Sequence, residues 1–324
     1  MVCIPFPKTA AGWIRPSVAL SLGYLVMCLA GGAQAQIFVV NQGNGTIGKY
    51  SLSGTVINTS FISGLGSPTG IAVSGDFLYV AQEGGTIRKY TTSGTLVNGS
   101  FITGLYLPWG LAVSGNDLYV ANAGGPDSTI GKYNATSGAV VNAALISGPD
   151  NPTGLIVSGS DLYVSEWSTG IIGKYTTAGA TINAQLIPGL FQPPLLNPGG
   201  LALDNSGYLY VSTIYGGVRK YTTSGTLVNG ALIANDYNSG IGLAYDGAGN
   251  LLVANNYGGA GGNIIGKYTT SGATVNANFI TGLNNPVAIA VVVPEPVSTI
   301  LTALGLGCLL WRLVSKRPLA QANR

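Results

Sequence analysis

Six times along this chain a Lys-Tyr pair closes a short apolar run, and successive copies are almost evenly spaced. The tyrosines are Tyr50, Tyr90, Tyr133, Tyr175, Tyr221 and Tyr268, at steps of 40, 43, 42, 46 and 47 residues. A period of ~40–50 residues holding several short apolar runs is that of a β-propeller blade, a four-stranded unit that buries its faces only against neighbouring units. The segment Ser74–Val113 shows one full period.

Four strand types recur within the period. Type a is I-A-V at Ile71–Val73, with counterparts starting at Leu111, Leu155, Leu201, Leu243 and Ile289. Type b is L-Y-V at Leu78–Val80, matched at Ile37, Leu118, Leu162, Leu209 and Leu251. Type c is the I-x-K-Y run, and type d the V-N-x-x-x-I run at Val97–Ile102. Each run is β-branched or aromatic and is bounded by Gly, Ser, Asn or Asp, as strands are. Six of each type predict an all-β chain folded as a six-bladed propeller over residues 36–293. The first repeat holds only b, c and d (Ile37 to Ile62), while a lone type a strand, Val287–Val293, ends the series. The expected closure therefore pairs the last strand with the first three, leaving no open edge between blades.

Charge and reactive side chains exclude several function classes. The net charge of +3 arises at the chain ends; between Gln36 and Pro296 there are 8 basic and 11 acidic residues, a balance of −3. Electrostatic nucleic-acid binding is not expected of such a surface. The chain has no histidine, which removes Ser-His-Asp and Cys-His catalysis and every histidine-ligated metal site. Cys3, Cys28 and Cys308 all lie outside the repeats, so no disulfide is expected within them.

The ends read as targeting segments. Residues 1–35 carry Lys8 and Arg15, an apolar run from Val18 to Ala30, and the small-x-small cleavage pattern Ala33-Gln34-Ala35, the layout of a signal peptide. Residues 294–324 begin with Pro294-Glu295-Pro296, followed by an apolar run from Val297 to Trp311 and a basic tail. The apolar run predicts a membrane helix over about 297–314 with its tail on the cytoplasmic side. This V-P-E-P, apolar helix, basic tail order resembles the PEP-CTERM sorting signal of exosortase-processed bacterial surface proteins. The resemblance implies Sec export, exosortase-type processing, a transient inner-membrane anchor, and a final place at the cell surface or in an extracellular polysaccharide matrix. The tail departs from that pattern in running thirteen residues from Arg312.

The P-x-G-[IL]-A-V, L-Y-V and I-x-K-Y runs resemble NHL-type repeats and, more loosely, the six-bladed gluconolactonase and streptogramin-lyase families. The lactonase resemblance implies a metal held at the channel mouth by Asn or Asp just before the glycine that opens strand a. The matching positions are Thr69, Trp109, Thr153, Gly199, Ile241 and Val287, none a carboxylate or amide, so no metal or other cofactor is expected. The lyase resemblance implies a histidine base, which this chain lacks.

Loop lengths separate two faces. The a–b and c–d turns barely vary, whereas the b–c and d–a connections take the insertions Gly124–Ser128, Gly189–Pro198 and Tyr257–Gly262. Insertions on one face of a repeat array mark its binding surface. Glu83 and Glu166, read as lying two residues past a type b strand, fall on that face with Asp127, Asp150 and Asp236. So do Trp109, Trp167, Tyr106, Phe191 and Tyr257, placed in its loops, where aromatic rings can stack on sugars or fill protein interfaces. The invariant face collects Lys49, Lys89, Lys132, Lys174, Lys220 and Lys267 beside Asp76, Asp117, Asp161, Asp204 and Asp246, read as a rim of exposed charge pairs. The Asn of strand d (Asn58, Asn98, Asn142, Asn183, Asn229, Asn276) reads as an outer-edge hydrogen-bonding position. N-x-S/T triplets begin at Asn44, Asn58, Asn98 and Asn134. Because the closing strand ends at the invariant face, that face is expected toward the membrane. The sequence thus points to a surface protein that binds a polysaccharide or protein through its variable face; the alternative is a lactonase-like hydrolase or lyase using the carboxylates there.

Overall fold

The computed structural model describes residues 35–124, 128–190, 197–234, 240–256 and 262–293. The N-terminal segment with Ala33, the sorting motif Pro294-Glu295-Pro296, the expected membrane helix, Phe191, Tyr257, Asp127 and Asp236 lie outside the described residues. No helix among the described residues is long and apolar enough to cross a membrane.

The described strands form six four-stranded antiparallel sheets. Blade 1 combines β24 (Pro286–Val292) with β1 (Gln36–Asn41), β2 (Thr46–Ser51) and β3 (Val56–Ile62). Blade 2 is β4 (Pro68–Ser74), β5 (Phe77–Gln82), β6 (Thr86–Thr91) and β7 (Leu96–Ile102). Blade 3 is β8 (Pro108–Ser114), β9 (Asp117–Asn122), β10 (Thr129–Asn134) and β11 (Val140–Ser147). Blade 4 is β12 (Pro152–Ser158), β13 (Asp161–Glu166), β14 (Ile171–Thr176) and β15 (Thr181–Ile187). Blade 5 is β16 (Pro198–Leu203), β17 (Tyr208–Thr213), β18 (Gly217–Thr222) and β19 (Leu227–Ile233). Blade 6 is β20 (Gly240–Tyr245), β21 (Asn250–Asn255), β22 (Ile264–Thr269) and β23 (Thr274–Ile280). The closure expected from the strand phase is present: β24 pairs with β1 from Gln36↔Val292 to Asn41↔Pro286.

Six buried apolar clusters fill the six spaces between adjacent blades. The one between blades 1 and 2 holds Phe38, Val40, Ile47, Leu78, Val80 and Tyr90; the one between blades 6 and 1 holds Ile37, Val39, Tyr50, Leu252 and Ile265. Strand b alternates its side chains between two such clusters, which is why L-Y-V is apolar throughout. In strand c, alternate residues share a face, and each Lys-Tyr ring folds back over the residue two before it. A Cβ at Gly48, Gly131, Gly173 or Gly266 would lie 2.6–2.7 Å from the ring of Tyr50, Tyr133, Tyr175 or Tyr268, so those blades read I-G-K-Y. Blades 2 and 5 carry Arg88 and Arg219 instead. Both stand opposite a bulge in strand d that contains the chain's two strand d glycines, Gly99 and Gly230.

The invariant face is a set of clasps between blades, which corrects the expected rim of exposed charge pairs. The lysine of each strand c sits half-buried or buried, and those of blades 1, 2, 3 and 5 reach the c–d turn of the next blade. Lys49 Nζ donates to Thr92 O (3.1 Å), Lys89 Nζ to Ala135 O (2.9 Å) and Thr136 O (3.2 Å), and Lys220 Nζ to Thr270 O (3.3 Å). The tyrosine of L-Y-V reaches the same turns: Tyr79 Oη donates to Ala135 O at 2.7 Å and Tyr119 Oη to Thr177 O at 3.1 Å. Three expected ion pairs form among the described residues, Lys132–Asp117, Lys174–Asp161 and Lys267–Asp246, at 2.8, 2.8 and 3.0 Å. Lys89 is only 4% exposed and lies over the Phe77 and Phe101 rings, at 4.2 and 4.9 Å from their centroids, where burial pulls its ammonium below the ordinary lysine range. Asp204 instead accepts from Tyr210 Oη at 2.8 Å. The c–d turns barely vary in length (that of blade 3 is one residue longer), and their glycines press on strand d of the preceding blade. Gly94, at φ 94°, would put a Cβ 3.0 Å from the Phe61 ring. On the outer strands the Asn side chains do bond at the edge: each Oδ1 accepts the amide two residues on, as Asn58 does from Ser60 N at 3.0 Å and Asn98 from Ser100 N at 2.9 Å.

Candidate binding face

Strand a of each blade lines the propeller axis, and the P-x-G entry explains how closely these strands approach. A Cβ at Gly70, Gly110 or Gly154 would overlap the carbonyl of Trp109, Thr153 or Gly199 on the neighbouring inner strand. The ring encloses a channel of about 350 Å³ walled by Ile71, Leu111, Leu155, Leu201, Leu243 and Ile289, with no charged side chain in its lining. Polar groups at its variable-face mouth are engaged. Thr69 Oγ1 donates to Pro108 O (2.6 Å) and Ser165 Oγ to Gly199 O (2.7 Å), both between blades, and within blade 5 Gly200 N donates to Ser212 Oγ (2.8 Å).

Trp109 is the second residue of β8 and lines this channel, half-buried; the structure places it in a strand rather than in a loop. Tyr106, 62% exposed, precedes it on the same connection and packs over Gly124. Trp167 follows β13 on the next blade, half-buried, with its backbone pinned by Asn151 O (3.1 Å) and Asn197 Nδ2 (2.8 Å). The three aromatics therefore occupy blades 3 and 4.

The two glutamates are not equivalent, contrary to the sequence reading. Strand b runs two residues past its L-Y-V triplet, so Glu166 is the last residue of β13, in register with Gln82, and Glu83 lies one position further. The b-terminal residues Asn41, Gln82, Asn122, Glu166, Thr213 and Asn255 form a buried polar ring that sequence reasoning missed. Its signal was a polar residue at the fifth position of every b strand counted from its leucine or isoleucine. Two of them hold the connection entering their own blade, while Asn122 and Thr213 bond across their own b–c hairpin to Thr129 Oγ1 and Gly217 O. Asn41 Oδ1 accepts from Asn284 N (3.3 Å), and Glu166 Oε2 accepts from Asp150 N (3.2 Å) and Thr169 Oγ1 (2.9 Å). Burial raises the Glu166 carboxyl above the ordinary range, and those two hydrogen bonds only partly oppose the shift. Glu83 is exposed and accepts from Gln42 Nε2 of blade 1 at 3.1 Å. Among the described residues the face thus offers three carboxylates: Glu166 engaged as a loop cap, Asp150 exposed beside it on the connection into blade 4, and Glu83 open to solvent two blades away. Among the described residues no three His, Cys, Asp or Glu side chains come together as a metal site.

With this geometry in place, comparison with known proteins adds the following. Residues 65–87, covering β4, β5 and the start of β6, match the LVIVD repeat. No curated protein sequence matches the chain. The chain is similar in fold to a chain of a nidogen/laminin complex, at 14% identity and a TM-score of 0.65, covering 81% of this chain and all of that one. It is similar to a functionally unknown protein from Desulfotomaculum acetoxidans DSM 771 (16% identity, TM-score 0.57, 81% and 100% covered). It is also similar to a streptogramin B lyase (17% identity, TM-score 0.53, 79% and 91% covered). At these identities the likeness is one of fold. The chain is a six-bladed β-propeller with an LVIVD-type repeat.

Proposed function

We propose that this propeller is an exported bacterial surface or matrix protein that binds a polysaccharide or a protein partner on its variable face. The observation that carries the reading is the character of the channel mouth. Trp109 stands half-buried beside an uncharged channel, with Tyr106 exposed on the same connection and Trp167 on the next blade. Aromatic rings at a neutral mouth suit the apolar face of a sugar or an aliphatic side chain, and give little purchase to a charged substrate. A hydrolase or lyase would need a free acid–base pair; Glu166 is engaged as a cap by Asp150 N and Thr169 Oγ1, and Asp150 and Glu83 are solvated, so the binding reading is preferred. The similarity to a chain of a nidogen/laminin complex supports protein binding as one form of it.

The leader pattern up to Ala33-Gln34-Ala35 and the Pro294-Glu295-Pro296 segment with its apolar run support Sec export, transient anchoring in the inner membrane, and exosortase-type processing toward the outer surface. Glycan-array binding by the full chain in detergent, repeated with Trp109→Ala and Trp167→Ala, tests the binding reading. Loss of a sugar or protein ligand in these variants with an unchanged melting temperature is the expected result. Turnover of a lactone or glycosidic substrate, undiminished by either change, would refute it.

A further inference from the structure

Strand d carries the least expected surface of the molecule. Its second residue is Ile57, Val97, Val141, Ile182, Val228 or Val275 in the six blades, and these side chains are 49–56% exposed. Four blades add an exposed aliphatic first residue, Val56, Leu96, Val140 or Leu227, at 52–64%. No strand d contains a charged residue, although outer strands ordinarily carry lysine to discourage contact. The register is the same in every blade, with the strand c lysine opposite the strand d asparagine, as in Lys49↔Asn58, Lys89↔Asn98 and Lys267↔Asn276. The exposed aliphatics therefore recur at one height along the axis, beside the c–d turns, and make a ring in one plane near the invariant face. Those turns are also free of charge, as in Leu52-Ser53-Gly54 and Thr92-Ser93-Gly94.

We propose that this ring rests on a lipid bilayer surface, so that the invariant face is a membrane-docking face. The proposal rests on the anchored reading above, and two observations select lipid as the occupant. First, β24 ends at this face: Val292 pairs with Gln36, and Val293, 52% exposed, lies against Gly247 of an a–b turn. Only Pro294, Glu295 and Pro296 separate Val293 from the apolar run that starts at Val297. The four residue steps from Val293 to Val297 span at most about 14 Å, so an inserted run holds this face against the bilayer. Second, a planar ring of uncharged aliphatic side chains matches a flat interface, where apolar groups enter the headgroup–acyl boundary. The face's six strand c lysines stand against five aspartates, three of them ion-paired (Asp117, Asp161 and Asp246), and this near balance makes the matching surface a neutral lipid rather than a strongly charged one.

The test uses the full chain with Cys3, Cys28 and Cys308 replaced by Ser. A single bimane label is placed at Val97→Cys or Val228→Cys on the ring, or at Glu83→Cys on the variable face. The protein is reconstituted into phosphatidylcholine vesicles with brominated acyl chains, and flotation is scored beside fluorescence. The expected result is flotation of all three, with blue-shifted, bromine-quenched emission at both ring positions and unquenched emission at Glu83→Cys. Failure to float removes the anchored reading, and this proposal falls with it. Flotation with ring emission no more quenched than that of Glu83→Cys overturns the docking face alone. A blue shift without quenching overturns it in favour of contact between copies.

Discussion

Replacing Glu166 with Gln separates a structural carboxyl from a catalytic one. The side chain is 6% exposed, and its Oε2 takes hydrogen bonds from Asp150 N and Thr169 Oγ1. Glutamine keeps an acceptor for both donors and removes the buried charge, and Gln82 already occupies the same register in blade 2, 5% exposed. Removing an unpaired charge from a buried polar site while keeping its hydrogen bonds stabilises by on the order of 1 kcal/mol at pH 7. For a domain of this size that is about 2–4 °C in melting temperature. Because burial raises the folded-state pKa, the fold retains a proton at pH values where the unfolded chain has released it. The wild type therefore loses stability as pH rises from the ordinary carboxylate range through the folded pKa. The advantage of Glu166→Gln is thus smallest below the ordinary carboxylate range and grows as pH rises. Glu166→Ala leaves both donors without an acceptor and costs about 1–3 kcal/mol at either pH. Thermal unfolding followed by circular dichroism at pH 4 to 8 measures all three proteins. A Gln variant less stable than wild type at pH 7, or a difference independent of pH, would show that the anion itself is favoured and refute the cap assignment.

Other perturbations test the clasps and the closure. Gly94→Ala, at φ 94° and against the Phe61 ring, is expected to lose about 1–2 kcal/mol, read as a lower urea midpoint with unchanged slope. Lys89→Met removes the donor to Ala135 O and Thr136 O while Tyr79 still serves Ala135 O; a loss of about 1–2 kcal/mol is expected in the same assay. Gly48→Arg drives side-chain atoms into the Tyr50 ring and is expected to cost about 1–3 kcal/mol. Adding Thr59→Gly, after the pattern of blades 2 and 5, restores part of it, and strict additivity in the double-mutant cycle would contradict that compensation.

Much of the fold was legible because each blade solves one packing problem six times. The Lys-Tyr period, the L-Y-V triplets and the lone final strand a led to six sheets and to closure by β24, since a strand with two buried faces has a distinctive composition. The invariant face was read less well. A lysine near an aspartate looks like a surface pair in sequence, whereas Lys49, Lys89 and Lys220 bond to backbone carbonyls of the next blade, and carbonyls leave no residue signature. The site was misread where one position mattered. Counting from the triplet put Glu83 and Glu166 in one class, but the strand ends between them in register, burying Glu166 and exposing Glu83. Trp109 falls in a loop when strand a is counted from the apolar triplet at Leu111, yet the P-x-G run belongs to the strand that walls the channel.

The position of β24 has a further consequence, for the order of assembly. The last of the described strands to leave the ribosome takes the innermost place in the first blade, against β1 and between the inner strands of blades 2 and 6. Until Val292 has emerged, five blades can form in sequence but the circle stays open, with the axial edge of β1 bare. Completion of the ring thus waits on the last of the described strands, and a propeller lacking that one strand is left with the gap where the axis should be walled.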